Sequence, residues 1–259
     1  MIQLLTLLFR ALFGVYAWIT FALLGLITLT ALLLVPQLPV RRHLAQRSAR
    51  LMLRIIGVRC VLTNAELLPD TPCVVVANHS SYVDGLIMKA ALPARFSFVI
   101  KKEMVRVPVA GLLLQRIGSL FVDRSNRHAG AMDARKIMRE AVEGKSLVFF
   151  PEGTFTTKVG LDRFHLGAFA TARRAGLPVV PVAIHGARRV LRPGSIWPRP
   201  GEITVDVLGV INTQPEEDTQ SRTRTNSEAI RDQARARILL ALGEPDLQTE
   251  STRELATHE

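Results

Sequence analysis

Twenty-five consecutive residues, Ala11 to Val35, carry no charged side chain. A run of that kind is a membrane element, since it cannot form a solvated surface. As a helix it covers about 37 Å, against a hydrocarbon core roughly 30 Å thick. It is too long for the apolar centre of a secretory signal, and Pro36-Gln37-Leu38-Pro39 is a poor cleavage site. A retained membrane anchor over residues 1–36 is therefore expected. Only Arg10 and the amino terminus precede the run, whereas Arg41, Arg42, Arg47, Arg50 and Arg54 follow it. The positive-inside rule then puts the C-terminal bulk in the cytoplasm. A full span and a helix pair dipping into one leaflet both stay open, with Gly14 and Gly25 as possible breaks.

Residues 37–60 read as a basic amphipathic helix. Val40, Leu44, Leu51, Ile55 and Ile56 supply apolar contacts, and the arginines supply a wet face suited to anionic headgroups. An ordinary surface helix packed on the following domain fits the same pattern.

Beyond residue 60 the pattern alternates. Apolar runs at 73–77, 97–100, 119–122, 147–150, 179–184 and 203–210 read as strands. Helical periodicity falls at 81–91, 109–117, 129–143 and 166–175. Strands separated by helices of this length predict an α/β fold, a mixed, largely parallel sheet covered by helices. Residues 61–212 form this domain. Residues 213–259 read as a polar linker, a short helix at 228–242 and a disordered tail.

Charge narrows the partners. The formal net charge is +11, which suits an anionic membrane surface, a phosphorylated substrate or nucleic acid. Only 6% of residues are aromatic, and no basic stretch interleaves aromatics for base stacking, so nucleic acid is not expected. Cys60 and Cys73 lie in or beside apolar strands and read as small buried hydrophobes. No metal-ligand spacing is present. Gly144-Lys145-Ser146 ends like a phosphate-binding loop, but Arg139 stands where that loop needs glycine and a strand follows instead of a helix.

Four blocks carry chemistry. In Asn78-His79-Ser80-Ser81-Tyr82-Val83-Asp84 a histidine follows a buried strand, with an aspartate five positions on. An imidazole takes a proton, and a carboxylate fixes its tautomer and stabilises the imidazolium. Ser81 to Asp84 also fits a helix capping box, which would make Asp84 structural. Gly118 to Arg124 is a strand ending in an arginine, a side chain suited to holding phosphate. Lys101, past another strand, would add charge. Phe149-Phe150-Pro151-Glu152-Gly153-Thr154 is a strand breaking into a tight turn, and Val179 to Gly186 is an apolar strand containing Pro181. Pro181 reads as an edge-strand marker.

Together, in this order, the blocks resemble the glycerolipid acyltransferase family, in particular the bacterial 1-acyl-sn-glycerol-3-phosphate acyltransferases. That family shows N-H-x-x-x-x-D, G-x-x-F-I-x-R, F-P-E-G-T-R-S and V-x-P-V blocks. The resemblance spans residues 70–186 and implies a glycerol-3-phosphate acyltransferase-like fold. It implies His79 as general base with Asp84 as its partner. It implies Lys101, Arg124, Glu152, Gly153 and Thr154 as the acceptor's binding residues, and Pro181 as a structural element lining the pocket. It implies an acyl thioester donor, acyl-CoA or acyl-carrier protein, as co-substrate with no metal or other cofactor. The acceptor is a lysophospholipid, and the place of action is the cytoplasmic face of a bacterial inner membrane. One departure bears on the acceptor: Phe155 stands where the family often has arginine. Lys158 or Arg163 could replace that cation, or the headgroup could differ, as in a lyso-aminolipid. A membrane-bound lipid-binding protein without turnover is the reading from another class. No G-x-S-x-G is present to supply a serine nucleophile.

Overall fold

The computed structural model describes residues 2–123, 127–214 and 227–249. Helix α1 (Ile2–Leu34) runs unbroken through Gly14 and Gly25, so neither glycine marks a break. Gly14 serves packing: a Cβ there would lie 2.3 Å from the Trp197 ring. After Pro36 the chain turns back into α2 (Leu38–Ile55), with Pro39 in its first turn. The Tyr16 hydroxyl donates to Ile55 O at 3.0 Å, joining the middle of α1 to the end of α2.

Among the described residues, α1 is the one helix long and apolar enough to cross a membrane. It is also bound to the domain along much of its length. The Trp18 indole donates to Ile196 O at 2.7 Å. At the other end the Arg116 guanidinium donates to the carbonyls of Leu32, Leu33 and Val35. Ala17, Leu29 and Leu32 are buried, whereas Leu12, Ile19, Leu23, Leu26 and Ile27 stay exposed on the outer face.

The sheet contains β1 (Val58–Thr63), β2 (Val74–Ala77), β3 (Ser97–Lys101), β4 (Leu120–Val122), β5 (Leu147–Phe149), β6 (Val179–His185) and β7 (Gly201–Val207). Their spatial order is β1-β7-β6-β2-β5-β3-β4. Every neighbouring pair is parallel except β6 with β7. This is the mixed, largely parallel sheet that the alternating pattern predicts. Central β2 is buried on both faces, and its alternation divides the core. Val75 and Ala77 join the cluster under α2 and α3 (Asp84–Ala91), with Leu53, Ile87 and Phe98. Val74 and Val76 join the opposite one, with Phe169 of α6 (Gly167–Ala175). Helices α4 (Ala110–Arg116) and α5 (Arg127–Val142) and the short helix α7 (Ala187–Val190) complete the connections.

Three expectations change. Residues 37–60 are not one helix: α2 ends at Ile55, and Val58–Thr63 joins the sheet as its edge strand. Helix α2 is also packed on the domain through Gln46, Ala49, Met52 and Leu53. The expected tail from Gly243 is ordered as far as Thr249. Leu161 N–H donates to Pro245 O, Leu247 N–H donates to Leu161 O, and Arg235 pairs with Asp246 at 2.6 Å. Helix α8 (Ser227–Leu242) is part of the core, because Ile230, Ala234 and Ile238 fall at i, i+4 and i+8 and are fully buried. Finally, Pro181 lies in an interior strand. The β6–β7 ladder runs from Val182 to His185 and resumes only at the Val179–Ile211 bridge. The missing N–H of Pro181 therefore falls in the interruption and leaves no rung unmade.

Candidate active site

Parallel register brings three of the four sequence blocks to one edge. Val76 lies beside Phe149 and Ala77 beside Val182. The segments leaving β2, β5 and β6 therefore emerge side by side at the C-terminal edge of the sheet, where α/β proteins place their sites. Asn78 ties two of them together. Its Nδ2 donates to Ile184 O at 3.1 Å, and its Oδ1 accepts from Ile184 N–H at 2.7 Å. The buried amide thus extends the sheet by one side-chain rung.

His79 follows at the mouth. Its Nδ1–H donates to Asp84 Oδ2 at 2.9 Å, which leaves Nε2 as the lone-pair nitrogen. The imidazole is partly open, while Asp84 is fully buried. The same Oδ2 accepts the backbone N–H groups of Ser80 at 2.6 Å and Ser81 at 2.8 Å. Both readings of Asp84 hold: it caps the turn into α3 and it orients the histidine. The Ser81 hydroxyl accepts Val83 N–H at 3.3 Å and donates to Leu191 O at 2.5 Å, so it bonds within the turn and to the α7 side at once.

Aromatic rings enclose the imidazole. Phe150 stacks on it with centroids 4.4 Å apart, and Phe155 meets it edge-on at 4.6 Å. Tyr82, largely exposed, meets Phe155 edge-on at 4.7 Å. Phe150 and Tyr82 were not among the candidate residues. The doubled phenylalanine before Pro151 was the available signal.

Glu152 departs from expectation. It is buried, its Oε1 accepts His79 N–H at 2.6 Å and its Oε2 accepts Asp162 N–H at 3.0 Å. Burial pushes its carboxyl up to about 7 from an ordinary 4.5, against the pull of those two amides. With both oxygens accepting backbone N–H groups, Glu152 braces the turn carrying His79. Gly153 sits at φ +81° in the tight turn, with its N–H on Phe150 O at 3.0 Å, and Thr154 is exposed beside it. The amides of His79, Ser80, Ser81 and Gly153 all donate within the protein, so none of them is an open oxyanion donor in this arrangement.

Lys101 lies half-buried at the end of β3, two strands from β2, or about 10 Å. Arg124 lies outside the described residues. Lys158 and Arg163 are exposed. Among the described residues, Arg188 of α7 reaches the turn: its Nη1 donates to Thr156 O at 3.1 Å while its Nε is buried without a hydrogen-bond partner. No group of three or more His, Cys, Asp or Glu among the described residues is placed to hold a metal ion.

Residues 59–185 match the family described as Acyltransferase. This segment is an acyltransferase domain. Its fold is also that of a solved structure, the 1-acyl-sn-glycerophosphate acyltransferase of Thermotoga maritima. The TM-score is 0.66 over 88% of this chain and 94% of that one, at 20% identity. Among curated relatives, a lyso-ornithine lipid O-acyltransferase of Pseudomonas aeruginosa is 38% identical over 120 residues, 45% of this chain and 44% of the relative. A 1-acyl-sn-glycerol-3-phosphate acyltransferase of Saccharomyces cerevisiae is 29% identical over 201 residues, 74% of this chain and 66% of the relative. A chloroplastic 1-acyl-sn-glycerol-3-phosphate acyltransferase of Brassica napus is 32% identical over 126 residues, 49% of this chain and 36% of the relative. The chain thus spans between about a third and two thirds of the length of these relatives. The matched segment runs from β1 to β6, so α1, α2, α8 and the sheet strand β7 lie outside it.

Proposed function

We propose that the protein transfers an acyl chain from an acyl thioester to the free hydroxyl of a lysophospholipid, with 1-acyl-sn-glycerol-3-phosphate as the leading acceptor. The observation that carries this is the His79–Asp84 pair, 2.9 Å apart at the end of β2. Nε2 takes the hydroxyl proton as the acceptor oxygen attacks the thioester carbonyl. The tetrahedral intermediate collapses, the C–S bond breaks, and the imidazolium returns its proton to the departing thiolate. The reaction is redox-neutral and needs no enzyme nucleophile. Asp84 supports the imidazolium that forms between the two proton transfers.

The test is His79→Ala, with thioester turnover and melting temperature measured together. Turnover is expected to fall by about 10²–10⁴, with the melting temperature close to that of the parent. Parental turnover in that variant would refute the mechanism and favour a lipid-binding protein without catalysis. Arg188, with Lys101 and Arg124, is proposed to bind the acceptor's phosphate.

A second acceptor is favoured by one feature of the site. Phe155 occupies the place of a family arginine and presses on His79, so an aromatic wall stands where a cation would meet phosphate. A lyso-ornithine lipid, which carries no phosphate, fits such a wall, and the relative from Pseudomonas aeruginosa bears that name. Turnover on the two lysolipids, side by side, distinguishes the readings.

The membrane is proposed as the place of action, in a bacterial inner membrane with the acyltransferase domain on the cytoplasmic face. The exposed outer face of α1 supports this. So does a groove of about 640 Å³ between α2 and β1, where Arg50, Arg54 and Arg59 stand over Leu53, Val58 and Leu62. Because α1 lies along the domain, insertion into one leaflet suits the structure better than a free perpendicular span.

A further inference from the structure

The connection from α7 to β7 is short, closed and apolar at its tip. Arg199 N–H donates to Val190 O at 2.8 Å, closing the loop at its base, and Ser195 N–H donates to Arg192 O at 3.1 Å, making a turn inside it. Trp197 N–H is held by Ser195 Oγ at 3.1 Å. The closed loop points Ile196 and Trp197 outwards, 63% and 42% exposed. Large apolar side chains paired at the tip of a rigid loop are costly in water and mark a contact surface.

The tip is continuous with the outer face of α1. The Trp197 ring lies on Gly14, and the Trp18 indole, itself 44% exposed, donates to Ile196 O. Arg189, Arg192 and Arg199 flank the tip and are exposed. Tryptophan at an apolar edge with arginines beside it is the composition that settles at the boundary between acyl chains and headgroups. The base of the loop reaches the catalytic turn, since Leu191 O accepts the Ser81 hydroxyl at 2.5 Å and Ser81 N–H binds Asp84.

We propose that this loop, Leu191–Pro200, is a second membrane-contact element. It seats Ile196 and Trp197 in the same leaflet as the outer face of α1 and so holds the mouth above His79 at headgroup depth. The proposal rests on the membrane reading given above and adds a lipid-facing surface formed by the domain itself. Because the loop is already closed by its own hydrogen bonds, insertion costs little ordering entropy.

The chain has two tryptophans, Trp18 and Trp197, so each can be read alone. The full chain would be reconstituted into vesicles of phosphatidylglycerol and phosphatidylethanolamine in equal parts, with and without bromine on the acyl chains. Trp18→Phe leaves Trp197 as the sole emitter. Its emission is expected to fall on brominated lipid and to resist iodide in the buffer. If Trp18→Phe does not fold, the difference between the parent and Trp197→Phe reports the same residue. Iodide quenching without bromolipid quenching, in protein that sediments with the vesicles, would overturn the proposal; such a tip is then free for a protein partner such as an acyl carrier. Protein that does not sediment with vesicles at all would remove the membrane reading and this proposal together. A kinetic arm uses Ile196→Asp. The KM for lysolipid presented in vesicles should rise about tenfold, the loss expected from one aliphatic side chain leaving an apolar medium. The KM for a short-chain soluble thioester should not move. An unchanged KM for vesicle-borne lysolipid would also overturn the proposal.

Discussion

Two carboxylates in contact with His79 do different work, and their hydrogen-bond partners decide which. Asp84 is buried and meets an imidazole N–H and two backbone amides on one oxygen, which fixes the ring of His79. Glu152 meets only two backbone amides, which do not outweigh its desolvation. This difference has a pH signature. Between an ordinary value of 4.5 and about 7, the folded protein keeps the Glu152 proton that the unfolded chain has released. Stability from this group is therefore fully present below pH 4.5 and is lost as pH rises through 7. The change is on the order of 3 kcal/mol across that window. Thermal melts between pH 5 and 7.5 should show this decline in the parent and a flatter dependence in Glu152→Gln. Parallel profiles would exclude Glu152 as the source. At the mouth, Phe155→Arg should move the ratio of kcat/KM for 1-acyl-sn-glycerol-3-phosphate over lyso-ornithine lipid upwards about tenfold, the scale of one charge-assisted hydrogen bond. An unmoved ratio would leave headgroup choice to Arg188 and Lys101. The spacing of His79 and Asp84 was legible from the chain. The orientation of Glu152 was not, because sequence does not say which way a turn residue points when its strand ends.

At the scale of elements, α1 joins two roles that sequence reading separates. Its apolar composition announces a membrane segment, yet its inner face is core. Leu32 is fully buried, and Arg116 spends its guanidinium on the carbonyls that end the helix. Leu32→Ala should lower stability by about 2–5 kcal/mol, as for other buried leucines, read as a melting shift in detergent. A mere anchor would tolerate the change. Deleting residues 1–36 should likewise yield a domain that aggregates, because the partners of Arg116 and Trp197 leave together; a soluble, cooperatively melting truncation would contradict this. Strand β1 escaped the sequence reading for a local reason. It follows a basic helix after only two residues, and Arg59 stands in it with its side chain exposed on the sheet's edge. Helix α8 reads as an appendage because its core-facing residues, Ile230, Ala234 and Ile238 with Leu239 and Leu242 half-buried beside them, are scattered through a charged run.

Over the whole molecule the charge of +11 predicts binding to anionic vesicles that weakens with salt, since each exposed Lys or Arg near such a surface is worth about 1 kcal/mol at low ionic strength. Sedimentation at low and high salt measures that share. Binding indifferent to salt would assign attachment to the apolar faces of α1 and of the Leu191–Pro200 loop. The chain alone determined the layer order, because buried strands and covering helices each write a period into the sequence that needs no partner to be read. It also determined the residue types at the His79 turn, since a strand end followed by histidine and a spaced aspartate is local chemistry. The tertiary structure decided which of the four blocks meet. Parallel register places the ends of β2, β5 and β6 together and sets β3 and β4 further out, and strand order follows from long-range packing that no local window records. It also decided that Arg188, unremarkable in sequence, faces the turn at Thr156, and that the apolar helix lies along the domain instead of standing away from it.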